Sequence, residues 1–376
     1  MLGFWFLWKI PYLDNDTKQK KIFNEKKYIR EFLTKLKISV IIPARNEEKT
    51  LPILLGSLST QSYKPYEVIV VNDQSTDATE DIAKKYGVRV INIDNLPEDW
   101  LGKPWACFKG ANNSSGNILI FLDADTFLER DGLEKLLLNY IKSQGVITVQ
   151  PYHKIKKFYE NFASYFNLIL MGSMNVFTPL QRKLKPIGAF GPCLVCERKT
   201  YFKIDGHSSA RGEIVEDLEI GKKFTKLKIP VFCFGGKGAI NFRMYPDGIK
   251  SLINGFAKSF TIGARSSSIL NLIMVILWIA GTFHPITLII ENIINLNIIE
   301  LSVGLTFYFL YAVQLFWMII RIGNFSLLVP ICFPVFVLFF IVIFFWSVIL
   351  TIFKLNIKWK DRNVNRKRKG NNWSLN

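Results

Sequence analysis

The stretch NILIFLDADTF, residues Asn117 to Phe127, runs an unbroken apolar segment straight onto two aspartates one residue apart. Such a run is what a buried parallel strand requires. Two carboxylates this close repel each other unless a cation lies near them. The plain alternative is a turn that happens to hold two aspartates. The same pattern recurs upstream, and that decides between them. Ile38 to Pro43 is a second buried run, followed by Ala-Arg-Asn-Glu-Glu, and Glu67 to Val71 is a third, ending in Asn72-Asp73-Gln-Ser-Thr-Asp77.

Between these strands the spacing predicts helices at Leu51 to Ser59, at Ala78 to Tyr86 with Thr76 or Asp77 as its cap, and at Trp105 to Asn113. A further strand is expected at Val88 to Ile93, and the segment Asn117 to Leu122 is the last of the series. The alternation predicts an α/β fold with a mostly parallel central sheet and right-handed crossovers. Ligands of such sheets bind at the carboxyl ends of the strands, where all three polar clusters fall. A dinucleotide fold would need G-x-G-x-x-G after the first strand, and Pro43-Ala-Arg-Asn-Glu47 stands there instead. The acidic rim repels a phosphorylated ligand unless a divalent cation intervenes, and carboxylates suit Mg²⁺ or Mn²⁺.

Beyond about Ser268 the composition changes. Three apolar stretches, Ile269 to Ile294, Ile298 to Ile320 and Leu327 to Phe353, each meet the need for about 20 apolar residues in a membrane-spanning helix. The formal charge of +18 concentrates in Lys18 to Lys37 and Lys354 to Lys369, beside apolar ends. That distribution fits an anionic cytoplasmic leaflet and a multi-pass protein of the cell membrane with a cytoplasmic catalytic domain. No nucleic-acid-binding motif accompanies the charge, so no nucleic-acid partner is expected. The positive-inside rule asks for an even number of crossings, so one stretch is expected to be re-entrant or interfacial, with His284-Pro285 or Pro330 and Pro334 as markers. Met1 to Leu13 is too short to span and reads equally as an interfacial anchor or a loose tail. The expected organisation is an anchor and basic linker over 1–37, a catalytic domain over 38–265, a membrane region over 266–354 and a basic tail over 355–376.

Five cysteines without framework spacing argue against a disulfide scaffold. Cys193 and Cys196 have metal-ligand spacing, but no second pair follows, so apolar packing is the expected role.

The motifs IIPARNEE, VVNDQSTD, FLDADTF and Glu216-Asp217, in this order, resemble the signature of family 2 glycosyltransferases with the nucleotide-sugar fold called GT-A. The resemblance covers about residues 38 to 245. It implies that the first loop (Pro43, Arg45, Glu47) and Asp73 hold the base and ribose of a nucleotide sugar, with UDP the expected nucleotide. It implies that Asp125 holds the metal, with Asp123 nearer the sugar-nucleotide, and that Asp217 is the general base of a single inverting displacement. Lys103, which follows a glycine before a helix, is a candidate diphosphate contact, with plain solvation the alternative. Gly191, Glu216 and Arg243 are candidate diphosphate or acceptor contacts; a structural turn at Gly191 and packing or lipid headgroups at Arg243 are equally open.

The segments from Val149 to Ile169, AFGPCLV, INFRMYPDG and Arg321 to Ser326 further resemble the membrane enzymes that glycosylate diaponeurosporenoate, a carotenoid acid. This implies a hydrophobic acceptor presented from the bilayer. A polyprenyl phosphate, a glycerolipid or a sphingoid hydroxyl is the alternative acceptor. A binding protein that has lost catalysis is the reading from another class, and the intact acidic motifs oppose it. Arg243-Met-Tyr-Pro-Asp-Gly stands where processive members carry Q-x-x-R-W, so polymer synthesis is not expected. A carboxylate acceptor is already ionised at neutral pH and needs no base, whereas a hydroxyl does; Glu216-Asp217 therefore leans toward a hydroxyl.

Overall fold

A computed structural model describes residues 2–13, 36–180, 184–265, 267–353, 357–359 and 362–364, the last two segments as backbone only. The linker over 14–35 and most of the basic tail, with the lysine-rich clusters read from the sequence, lie outside the described residues.

The core is a seven-stranded sheet built from β1 (Ile38–Ala44), β2 (Glu67–Asn72), β3 (Arg89–Asn92), β4 (Ile118–Leu122), β6 (Val146–Gln150), β8 (Cys193–Glu197) and β9 (Val231–Gly235), in the order β3-β2-β1-β4-β8-β6-β9. Strand β8 runs antiparallel to both neighbours, and every other pairing is parallel. The expected alternation is present, with helices Leu51–Ser59, Thr79–Lys85 and Gly102–Asn112 as crossovers. Strands β1 and β4 are buried on both faces, which is why they read as continuous apolar runs rather than alternating ones. A smaller sheet of β5 (Thr126–Leu128), β10 (Ile240–Phe242) and β7 (Tyr152–His153) lies beyond the carboxyl end of β4.

Cys193 and Cys196 sit in β8 and enter different core clusters, so their side chains lie on opposite faces of the sheet. The spacing that suggests a metal knuckle in a loop separates the two sulfurs in a strand.

Among the described residues three helices are long and apolar enough to cross a membrane: Ile269–Ile294, Ile298–Ile322 and Phe333–Ile352. The first is made of two helical segments, Ile269–Ala280 and Phe283–Ile294, joined at Gly281-Thr282 just before His284-Pro285, and a short helix at Leu328–Ile331 leads into the third. These helices are fastened to the α/β domain. The Asn324 N–H donates to the His153 carbonyl (3.0 Å), the Asn324 Oδ1 accepts from Ile155 N (2.6 Å), and Ser326 N donates to Asn161 Oδ1 (2.8 Å). Phe162 packs on Phe336 and Phe339 at 5.0 and 4.5 Å, and Phe166 stacks on Phe256 at 3.9 Å. The aromatics from Phe158 to Phe166 thus make the junction, with Phe158 left exposed.

The N-terminal residues contribute to the same junction. Phe6, Leu7 and Ile10 are buried, Phe6 meets Trp278 at 6.0 Å, and Arg321 donates to the Leu7 carbonyl. Full burial of a side chain the size of Phe or Leu is worth about 1.5–3 kcal/mol. Gly235 N donates to the Pro11 carbonyl (2.8 Å), which ties the segment to β9 as well. Trp8 stays exposed.

Candidate active site

The polar clusters converge at the carboxyl ends of β1, β2 and β4. After β1, the backbone turns through Asn46 at φ +52°, and after β2 through Gln74 at φ +53°, both left-handed. Such backbone is costly for residues other than glycine and persists where neighbouring bonds hold it. Here the two loops brace each other. Arg45 Nη1 donates to the carbonyls of Asp73 (2.7 Å) and Gln74 (3.1 Å), Asn46 Oδ1 accepts from Thr76 N (2.9 Å), and Asp73 N donates to Ala44 O (2.8 Å). Asp73 is 4% exposed. Glu47 lies in the loop three residues before Thr50, the N-cap of helix Leu51–Ser59; its Oε2 accepts from Thr50 Oγ1 (2.6 Å) and its N–H donates to Thr79 Oγ1 (2.7 Å). Asp77 accepts from the N–H groups of Thr79 and Glu48 (both 3.0 Å), but the helix begins at Thr79 with Ala78 as its N-cap, so Asp77 stands one residue outside the capping position the sequence suggests. Pro43 is the penultimate residue of β1.

The centre of the site is Lys103. Its Nζ lies 2.9 Å from Asp123 Oδ1, 3.3 Å from Glu216 Oε1 and 3.3 Å from Asp217 Oδ2. Part of the repulsion that the sequence attributes to a missing metal is therefore answered by the chain's own ammonium. Burial lowers the proton affinity of Lys103, but the charges of Asp123, Asp217 and Glu216 outweigh it and hold the group well above the ordinary lysine range. Burial and then the neighbouring Glu216 charge push the Asp217 carboxyl well above the usual carboxylate range, against the pull of Lys103. Burial also acts against ionisation of Glu216, yet Lys103 and the helix N-terminus overcome it and keep that carboxyl low. The pair thus splits: Glu216 carries the charge and Asp217 is the stronger base.

Asp217 and Asp123 come from distant elements, and the segment Ala189–Pro192 links them. Ala189 N donates to the Asp217 carbonyl (3.3 Å), and Asp123 N donates to the Pro192 carbonyl (3.0 Å). Helix Glu216–Lys226 approaches this segment through Gly221, where a Cβ would overlap the backbone of Gly188 and Ala189. At Gly191 a Cβ would overlap Asp217 Oδ2 and lie 3.2 Å from Lys103 Nζ. Gly191→Ala is accordingly expected to displace Asp217 and lower kcat by about tenfold or more; steady-state kinetics beside a melting curve check it.

Asp125 is half-buried on the turn into β5, which Thr126 closes through bonds from its N (3.0 Å) and Oγ1 (2.7 Å) to the Asp123 carbonyl. Among the described residues no group of three or more His, Cys, Asp or Glu side chains is arranged to hold a metal. A pair of adjacent carboxylates fits the other mode of binding, in which one or two carboxylates hold a hard ion whose remaining ligands are substrate phosphates and water. Arg243 is adjacent to Asp125, but its guanidinium is paired with Glu160 at 2.6 Å. Glu160 is a residue the sequence did not single out; its only signal is a charge inside an aromatic run.

The chain matches the family model described as glycosyl transferase family 2 over residues 39–201. It is 37% identical over 331 residues to 4,4′-diaponeurosporenoate glycosyltransferase of Staphylococcus aureus (strain MRSA252), covering 86% of this chain and 87% of that protein. It is 41% identical over 257 residues to the protein of the same name from Staphylococcus haemolyticus, covering 67% and 68% respectively. Among solved structures it is similar to glucosyl-3-phosphoglycerate synthase from Mycobacterium tuberculosis in complex with Mn²⁺, UDP and glucosyl-3-phosphoglycerate, with a TM-score of 0.43 and 21% identity over 68% of this chain and 86% of that one.

Proposed function

The chain belongs to glycosyl transferase family 2, and from that premise we propose that it moves glucose from UDP-glucose to the carboxyl group of a carotenoid acid held in the membrane. The carrying observation is the junction at Lys103. A donor-side aspartate and a candidate base meet there, on a domain fastened directly to helices long and apolar enough to span a bilayer. The acceptor class comes from the relatives' name. Our reading places the catalytic domain on the cytoplasmic side of the cell membrane.

In this reading the loops after β1 and β2 seat the nucleotide through Arg45, Glu47 and Asp73, and Asp123 and Asp125 face the diphosphate. A bound Mg²⁺ or Mn²⁺ would neutralise the charge that grows on the departing diphosphate. The acceptor oxygen attacks the anomeric carbon from the face opposite the diphosphate. As the new C–O bond forms, the bond to the diphosphate breaks and UDP leaves, with inversion. An acid brought beside Asp123, Glu216 and Asp217 binds best in its neutral form, because like charges there oppose ionisation. Its proton must then leave during attack, and Asp217, with its raised affinity, receives it. That accounts for a base pair in an enzyme of carboxyl acceptors. A hydroxyl acceptor would use the same group.

Expression in a host that makes diapocarotenoid acids, followed by mass analysis of the extracted pigment, tests the acceptor. The expected result is pigment carrying one added hexose. Unmodified pigment beside glycosylated glycerolipid or polyprenyl phosphate would move the acceptor to the alternative class. Protein that binds UDP-glucose but neither transfers nor hydrolyses it would revive a non-catalytic role.

A further inference from the structure

Glu160 has 0% of its surface exposed, and nothing in the chemistry above uses it. Its Oε1 accepts from Arg243 Nε (3.0 Å) and Nη2 (2.6 Å), and its Oε2 accepts from Lys156 N (2.7 Å). A charge taken out of water persists only when it is paired and hydrogen-bonded, and an apolar pair of similar size is often as stable. Stability alone is therefore a weak reason for this pair.

Its surroundings supply another. The Arg243 N–H donates to the Asp125 carbonyl (3.2 Å), extending the β5–β10 ladder by one residue. Tyr159, next to Glu160, donates its hydroxyl to the Tyr245 carbonyl (2.8 Å). Tyr245 adopts φ +55° and lies so close to Gly255 that a Cβ there would overlap its ring. In the same 3₁₀ segment, Phe158–Ala163, Asn161 accepts from Ser326 and Phe162 packs on the last membrane helix. This short segment thus contacts both the strand that pairs with the Asp125 turn, through Arg243, and the membrane helices.

We propose, resting on the donor-site reading above, that Glu160 is a positioning residue for the donor site. Through Arg243 it sets where Asp125 stands relative to the membrane junction. Arg243 is then a strut between the two, not a ligand of the diphosphate.

The test uses the full chain in lipid nanodiscs, with UDP plus Mn²⁺ as the calorimetric probe and steady-state kinetics beside it. Glu160→Gln and Arg243→Gln are each expected to weaken UDP binding and raise the donor KM by about tenfold, as misplacement of a site group does. The acceptor KM stays within about twofold, and the double variant is no worse than either single, because the two act as one unit. A paired Glu160→Leu and Arg243→Met change leaves no unpaired buried charge and guards against a folding failure; it too must weaken UDP binding. The proposal is overturned if that paired variant binds UDP as the wild type does, or if donor and acceptor constants shift together. It is overturned equally if only Arg243→Gln weakens UDP binding, which would make Arg243 a direct ligand. A wild-type protein that binds no UDP would overturn both this proposal and the donor-site reading.

Discussion

Replacing Asp125 with alanine is expected to lower kcat/KM for sugar transfer by about 10³-fold or more while membrane insertion and melting temperature stay close to wild type. The leaving diphosphate gains charge in the transition state, and a preorganised countercharge is worth roughly 10²–10³ in rate even when it is a single hydrogen-bond donor. Asp125 is the carboxylate assigned to the ion that supplies this countercharge. A factor of 10³ corresponds to about 4 kcal/mol of lost transition-state stabilisation. The side chain is half-buried, and the turn that carries it is closed by Thr126, whose Oγ1 donates to the Asp123 carbonyl. Steady-state assays over a Mn²⁺ series check the prediction, and near-wild-type turnover would remove Asp125 from the donor site.

Asp217→Asn is expected to lower kcat by about 10²–10⁴-fold with donor binding retained, the range for loss of a positioned general base. The amide keeps the size of the side chain but cannot take a proton. The pH profile carries a sharper form of the same prediction. Burial, then the Glu216 charge, raise the Asp217 carboxyl, with Lys103 opposing. Its deprotonated form is therefore lost as pH falls through a value above the ordinary carboxylate range. Wild-type kcat should fall on that acid limb, and the residual activity of Asp217→Asn should not show it. A variant that kept the limb would assign the titration to another group.

The fold was legible where burial is two-sided. Ile38 to Pro43 and Asn117 to Leu122 read as strands because both faces are covered and no polar alternation interrupts them. The helix Leu51–Ser59 appears with the expected ends, whereas Gly102–Asn112 begins three residues earlier than its apolar spacing suggests, because Gly102 and Lys103 already form its first turn. The antiparallel placement of β8 was not legible, since pairing partners far apart in sequence leave no local signal.

The site was legible as a set of motifs but not as a network. Repulsion within FLDADTF pointed to an external cation, and the structure brings Lys103 to Asp123 first. That contact joins residues twenty positions apart and depends on how helix Gly102–Asn112 packs, which periodicity does not report. The metal assignment accordingly rests on the chemistry of a diphosphate ligand and no longer on charge conflict alone. The Glu160–Arg243 pair was illegible for a related reason: a lone glutamate among aromatics reads as a solvated face until its partner is placed.

The most direct measurement is transfer by the purified full chain in vesicles, with UDP-glucose, Mn²⁺ and a diapocarotenoid acid, read by NMR of the product. The account predicts a glucosyl ester whose anomeric configuration is opposite to that of the donor, formed in step with UDP release and lost on chelation. A product with retained configuration, or UDP released only to water while the acid stays unmodified, would contradict it.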